Sequence, residues 1–189
     1  MEKFSNFRDP LTGINPFLAP TYKKLTIKTV ILAAFRLPIY ILYLLGFPTI
    51  GFLIKIKLES KTKPKGVVFC NSVTEFDRKV IEKVFGITNF DYSKYKTCVC
   101  FPENTCTNNR GILKYENKQD CEYAIGLRYS NECIYMYGNR LAWLINFLGN
   151  ENFVKINVIK GSNLEIATCL PMLKLTSDDK TQFMSSLSA

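Results

Sequence analysis

The sequence has no histidine among its 189 residues. That removes the side chain whose ordinary pKa lies nearest neutrality, and with it the usual general base and the commonest nitrogen ligand for a metal. The cysteine pattern argues against zinc as well, because Cys98 and Cys100 have no second close pair and no histidine to complete a tetrahedron. The seven cysteines (Cys70, Cys98, Cys100, Cys106, Cys121, Cys133 and Cys169) are an odd set, embedded mostly in apolar runs with no cleavable leader ahead of them. They read as reduced thiols facing the cytosol and packed in a core. Internal repeats, low-complexity tracts and a glycine-rich phosphate loop are also missing, which leaves no basis for a solenoid or a P-loop nucleotide site.

Acidic residues are in deficit. Against 25 Lys and Arg stand 16 Asp and Glu, a formal charge of +9 that favours an anionic partner. Much of the positive charge flanks the most apolar stretch, where anionic lipid headgroups account for it at about 1 kcal/mol per residue; nucleic acid is not the expected partner. With 47% apolar residues and this length, the chain has enough material for one domain with its own core.

The apolar residues are unevenly spread. From Thr29 to Ile54 the run TVILAAFRLPIYILYLLGFPTIGFLI carries one charge, Arg36. It is long enough to cross a bilayer, which takes about 20 apolar residues. Pro38 and Pro48 each remove a backbone donor and collide with the preceding turn, so one straight helix is disfavoured. Lys23, Lys24 and Lys28 precede the run, and Lys55, Lys57, Lys61, Lys63 and Lys65 follow it. Positive charge at both ends favours entry and exit through the same leaflet. The expectation is a membrane-embedded hairpin bent near Pro38 or at Gly46-Phe47-Pro48, with a single kinked span or a buried core helix pair as the other readings.

Beyond the lysine-rich connector, GVVFC (66–70) reads as a buried strand. The period then changes: Phe76, Val80, Ile81, Val84 and Phe85 share one helical face. Strand, turn and helix thus follow one another, with NSVTE at the strand's C-terminal end, where open α/β sheets place their ligands. TCVCF (97–101) reads as a second buried strand leading into the polar loop PENTCTNNRG. YAIGLRY and ECIYMY read as a strand pair around Ser130-Asn131, LAWLINFLG as a helix closed by Gly149, and FVKINVIKG as a half-exposed strand. The tail TSDDKTQFMSSL predicts a helix capped by Thr176 or Ser177.

Two segments carry possible chemistry, NSVTEFD (Asn71 to Asp77) and FPENTCTNN (Phe101 to Asn109). Thr74-x-x-Asp77 is also a capping box ahead of an apolar helix face, a reading that needs no catalysis. Cys70, last in its apolar strand, is expected to point into the core.

In this order, behind a membrane segment, the two motifs resemble the NHxxxxD and FPEGTxSNG motifs of the glycerolipid acyltransferases of the lysophosphatidate type. The N-terminal MEKFSNFRDPLTGINPFLAP is similar to the opening of a fungal branch of that family, acting with oleoyl-CoA at lipid droplets, which itself departs from the motif histidine. The resemblance implies an α/β fold: an N-terminal hairpin in the membrane, then a reduced acyltransferase-type sheet flanked by helices. It divides the chain into a cytosolic segment (1–25), the hairpin (26–58) and the catalytic-type domain (59–189). It also implies Asp77 and Ser72 at the catalytic positions, and Asn71, Glu103, Thr105 and Asn108 in the acceptor site. Acyl-CoA would be the co-substrate, with no other cofactor and no metal; membrane phospholipid and a lysophosphatidate-like acceptor would be the partners. The location implied is the endoplasmic reticulum or lipid-droplet membrane, with the domain facing the cytosol.

Departures from the family bear on activity. Serine has no pKa near neutrality and cannot replace the base, so the implied activity is reduced by the factor of about 10² to 10⁴ that such a base supplies. Asn104 and Asn109 replace two glycines, and asparagine is the residue that best tolerates positive φ. Only 23 residues separate Asp77 from Phe101, and the arginine-bearing acceptor motif has no counterpart there. Two functions follow: an acyl-CoA-dependent lysophospholipid acyltransferase of glycerolipid synthesis, or a non-catalytic descendant serving as a membrane or lipid-droplet adaptor.

Overall fold

The computed structural model describes residues 4–18, 24, 26–92, 96–116, 120–131 and 134–188. Its elements in chain order are α1 (Ile27–Leu44), α2 (Ile50–Leu53), β1 (Ile54–Leu58), β2 (Val67–Cys70), α3 (Asp77–Phe85), β3 (Cys98–Cys100), β4 (Tyr123–Tyr129), α4 (Arg140–Gly149), β5 (Asn152–Lys160), α5 (Leu164–Thr168) and α6 (Ser177–Ser188). The protein is a mixed α/β structure. Five strands form one sheet in the order β1-β5-β4-β2-β3. β2 runs parallel to both β3 and β4, β4 is antiparallel to β5, and β5 is parallel to β1.

The apolar run at β2 reflects burial on both faces. Val68 and Cys70 point into the larger core with Val80 and Ile81 of α3 and Trp143 and Phe147 of α4. Val67 and Phe69 point the other way, onto Ile112 and onto Leu164 and Ala167 of α5. A strand covered on both sides has no polar alternation to show. β5 does show it, burying Val154, Ile156 and Val158 between half-exposed or exposed neighbours.

One expected pairing is replaced. β4 does not turn at Ser130-Asn131 into a partner strand; its antiparallel partner is β5, in a register running from Tyr123↔Lys160 to Tyr129↔Val154. Past Tyr129 the chain is held on the next strand by Ser130 N–H donating to the Phe153 carbonyl and by Asn131 Nδ2 donating to Asn152 Oδ1. Ile134, in a 3-10 turn, and Tyr135, in a bend, are then buried without forming a strand, while Glu132 and Cys133 lie outside the described residues. A short apolar run marks burial without specifying the conformation that achieves it.

The N-terminal apolar segment is one long helix and a short return. α1 runs uninterrupted through Pro38, the chain turns at Gly46 with φ +91°, and α2 is a single turn that feeds directly into β1. The return arm is therefore four residues, and the Ile-Lys-Ile-Lys-Leu stretch after it is an edge strand of the sheet. α1 is, by length and composition, the one described helix able to cross a membrane.

One side of α1 rests on α4. Gly149, expected as a helix stop, is the last residue of α4, and a Cβ there would lie 2.3 Å from Thr29 Cγ2: glycine is needed for close helix approach. Arg36, the sole charge of the apolar run, donates from Nη1 to the carbonyls of Leu148 and Asn150, satisfying acceptors that the end of α4 leaves open. Tyr40 packs edge-on to Phe147, and Tyr43 to Phe76. The opposite side, including Ile27, Ile31 and Phe35, is exposed, and Ala33 alone on this helix is fully buried.

Candidate active site

Parallel pairing decides where the two motifs lie. Because β2, β3 and β4 point the same way, their C-terminal ends share one edge of the sheet. The turn Asn71–Asp77 leaves β2 there, the loop Phe101–Asn109 leaves β3 there, and Tyr129 ends β4 there. Asn71 extends the β2–β4 ladder by one rung with its side chain: Nδ2 donates to the Leu127 carbonyl at 3.0 Å and Oδ1 accepts from Leu127 N–H at 2.7 Å.

The two turns are hydrogen-bonded to each other. Ser72 N–H donates to Glu103 Oε2 at 2.8 Å, and Thr107 N–H donates to the Ser72 carbonyl at 3.0 Å. The other oxygen of Glu103 accepts from Leu113 N–H at 2.8 Å, so this carboxylate pins the two motifs and the following segment together. Lys180 of α6 fixes the loop from outside by donating Nζ to the Cys106 carbonyl at 2.6 Å.

Asp77 begins α3 and folds back. Its Oδ2 accepts from Val73 N–H at 2.7 Å and Thr74 N–H at 3.0 Å, while Oδ1 accepts from Tyr129 Oη at 2.6 Å. This is the acid half of a capping box; Asp77 N–H itself bonds the Thr74 carbonyl rather than its hydroxyl. Burial pushes the Asp77 carboxyl up to about 6, against the three donors that favour its charged form. Glu103 is pushed up to about 7 by the same cause, its two amide donors opposing.

Each expected site residue can now be placed. Ser72, Asp77 and Thr105 line a cavity of about 510 Å³, together with Thr74, Glu75, Arg78, Phe90, Phe101, Asn104 and Cys106. Asn71, Glu103 and Asn108 are buried behind its wall. Asn108 holds the N-terminal segment instead, its Nδ2 donating to the carbonyls of Asn15 and Leu18. Asn104 and Asn109 take φ of +55° and +63°, so asparagine does occupy left-handed backbone at both former glycine positions.

Burial also pushes up the thiols at and behind the cavity. Ser72 Oγ lies 3.3 Å from Cys106 Sγ, and burial raises the Cys106 thiol despite that contact. The Cys70 thiol points into the core and is driven well above its ordinary value. Among the lining groups that burial shifts, the Asp77 carboxyl lies near 6 and the Cys106 thiol above its ordinary value. A second cavity, of about 660 Å³, adjoins at Glu75 and lies between the Tyr43–Pro48 turn after α1 and Lys79, Glu82 and Lys83 of α3.

Sequence reasoning missed Tyr129, Cys106 and Lys180 as members of this cluster. Tyr129 was within reach, because it ends its strand on the same face as the buried Ile125 and Leu127. Lys180 reaches the loop from 74 residues away and left no local trace. No family model, curated protein or solved structure searched against this chain matches it.

Proposed function

We propose that the protein is a membrane-surface member of the lysophospholipid acyltransferase type, moving an acyl group from acyl-CoA to the free hydroxyl of a lysophosphatidate-like acceptor at a reduced rate. One observation carries this reading: two motifs with the acyl-transfer pattern are hydrogen-bonded to each other over a cavity that adjoins the apolar turn. In the step, the acceptor oxygen attacks the thioester carbonyl, a C–O bond forms and the C–S bond breaks. Asp77 accepts the hydroxyl proton and the departing CoA sulfur takes one up. A carboxyl titrating near 6 is a weaker base than imidazole, yet it is usable near neutrality when positioning supplies part of the rate. Acyl-CoA serves as co-substrate and no other cofactor takes part.

The membrane role rests on the exposed side of α1. With its other side on α4, the helix lies flat in one leaflet, and Lys24, Lys28, Lys55 and Lys57 sit at either end of the apolar segment to meet anionic headgroups. The proposed location is the cytosolic face of the endoplasmic reticulum or a lipid droplet.

A second reading, a non-catalytic adaptor on the same scaffold, is favoured by the bonding of Asp77. Both of its oxygens are taken up by Val73, Thr74 and Tyr129, bonds that support the fold. Purified protein given radiolabelled acyl-CoA and lysophosphatidate separates the two. Turnover that falls in Asp77→Asn and rises roughly a hundredfold in Ser72→His establishes the enzyme. No turnover across several acceptors, in protein with a normal melting transition, leaves the adaptor.

A further inference from the structure

The face of the sheet turned away from α1 is only half covered by the described residues. α5 presses onto β4 so closely that a Cβ on Gly126 would lie 2.2 Å from the Ala167 carbonyl oxygen, and the helix stops at Thr168, with Cys169 in left-handed backbone at φ +53°. Beyond that stop, β4, β5 and β1 carry three cations in one cross-strand row: Arg128 is opposite Lys155, and Lys155 is opposite Lys57 at the sheet edge. Leu127, Tyr129, Val154, Ile156 and Ile56, which alternate with them along the strands, belong to the core on the α4 side, so the row points the other way. With strands about 4.8 Å apart, it spans about 10 Å.

Like charges set opposite one another across strands repel, and little within the chain offsets them here. Glu59 reaches Lys155 at 3.7 Å, a half-exposed pair of small worth, while Arg128 and Lys57 form no ion pair among the described residues. A cavity of about 370 Å³ opens over Arg128 and Lys155, with the exposed ring of Phe153 and the exposed Cys169 on its rim. Ser130 lines the same space; its Oγ accepts from Phe153 N–H and has its own hydrogen left to donate.

This set suits carboxylates. An arginine fork takes one through two parallel hydrogen bonds, a lysine takes a second as a point charge, and the serine hydroxyl adds a donor. Side chains on one side of an extended peptide stand about 7 Å apart, so two of them fit within the row. A nucleic-acid strand calls for a longer cationic track and several aromatic platforms, whereas this cavity has one exposed ring. α1 rests on α4, and α4 on the other face of the sheet, so a bilayer that meets the outer side of α1 is out of reach of Lys155 and Arg128.

We propose that the Arg128–Lys155 face is a docking site for an acidic segment of a partner protein, bound extended, with two carboxylates on one side and an apolar residue packed on Phe153. It uses no residue of the candidate active site, so it stands or falls apart from acyl transfer.

Fluorescence anisotropy on the full chain in detergent micelles tests this. The probes are a fluorescein-labelled peptide of alternating glutamate and glycine around one phenylalanine, and the same peptide with glutamine for glutamate. Saturable binding of the glutamate peptide, weakening as salt is raised, is expected, with little binding of the glutamine peptide. Arg128→Gln and Lys155→Gln together should weaken it roughly tenfold or more. Lys114→Gln with Lys174→Gln, an equal loss of charge at exposed positions outside the cavity, should hardly change it. Glu59→Gln removes a competing carboxylate and should tighten binding a few-fold, a gain that loss of folding cannot imitate. Alkylation of Cys169, followed by mass spectrometry, should slow when the glutamate peptide is bound. No saturable binding to wild type, an unchanged rate of Cys169 alkylation, or equal losses in the two paired variants overturns the assignment. A single-stranded oligonucleotide that binds this face more tightly than the peptide also overturns it, in favour of nucleic acid. Binding to anionic vesicles that falls with Arg128→Gln and Lys155→Gln does so in favour of a membrane.

Discussion

Asp77 and Glu103, at the C-terminal edge of the sheet, are 1% and 2% exposed, whereas Ile27 and Phe35 on α1 are 81% and 76% exposed. One region buries charge-bearing groups and the other leaves greasy ones in the open. Burying a carboxylate is costly unless hydrogen bonds replace its water, and both of these have such bonds from main-chain amides or a tyrosine. The buried region is therefore self-sufficient. On the outer side of α1 the described residues supply no cover, and large apolar side chains stay exposed there. The contrast separates what holds the protein together from the face that its fold leaves open.

The largest expected effect lies on the open side. Replacing Ile31, Phe35 and Leu45 together by glutamine should cut binding to anionic phospholipid vesicles by roughly a hundredfold or more, since each buried apolar side chain contributes about 1.5–3 kcal/mol. The urea midpoint should hardly move, because these side chains are already exposed. Undiminished vesicle sedimentation would show that the face is ordinary surface.

Next comes the buried side. Asp77→Ala strands two amides and a tyrosine hydroxyl, so unfolding should become easier by about 3 kcal/mol or more in urea titrations. Asp77→Asn, which keeps one carbonyl oxygen, should cost clearly less. Equal losses would mean that the cavity left by the side chain, not its hydrogen bonding, sets the cost.

The smallest effect sharpens the account of Glu103. Its carboxyl is raised from 4.5 to about 7 in the folded protein, so over that window the native state binds the proton more tightly than the unfolded chain. The stability it contributes is complete below about 4.5 and is lost as pH rises through about 7. Asp77 acts in the same direction between 3.8 and about 6. Melting temperatures measured from pH 4.5 to 8 should decline with pH, and Glu103→Gln should flatten the upper part. A flat wild-type profile would show that the two amides keep Glu103 ionised throughout.

Much of this was legible in the chain, and the misses have physical reasons. β2, β3, β4, β5, α3, α4 and α6 all lie where apolar period and turn residues put them. β1 was hidden because Ile54–Leu58 alternates with lysines beside a far more apolar run, and its strand character comes from pairing with β5. α5 was missed because five residues are too few to display a helical period. At the site, the residue types were readable and their division of labour was not. Ser72, Asp77 and Thr105 face the cavity while Asn71, Glu103 and Asn108 brace its wall, a split fixed by side-chain direction.

Sequence alone determined the missing imidazole, the order of the two polar turns behind their strands, and an apolar stretch too long to ignore; these depend on residue identity and local spacing. Tertiary structure decided that β2, β3 and β4 run parallel, that both turns therefore share one edge, and that α1 covers α4 with one side only. Strand direction and helix docking are set by contacts among segments tens of residues apart, whose free energies no local pattern records.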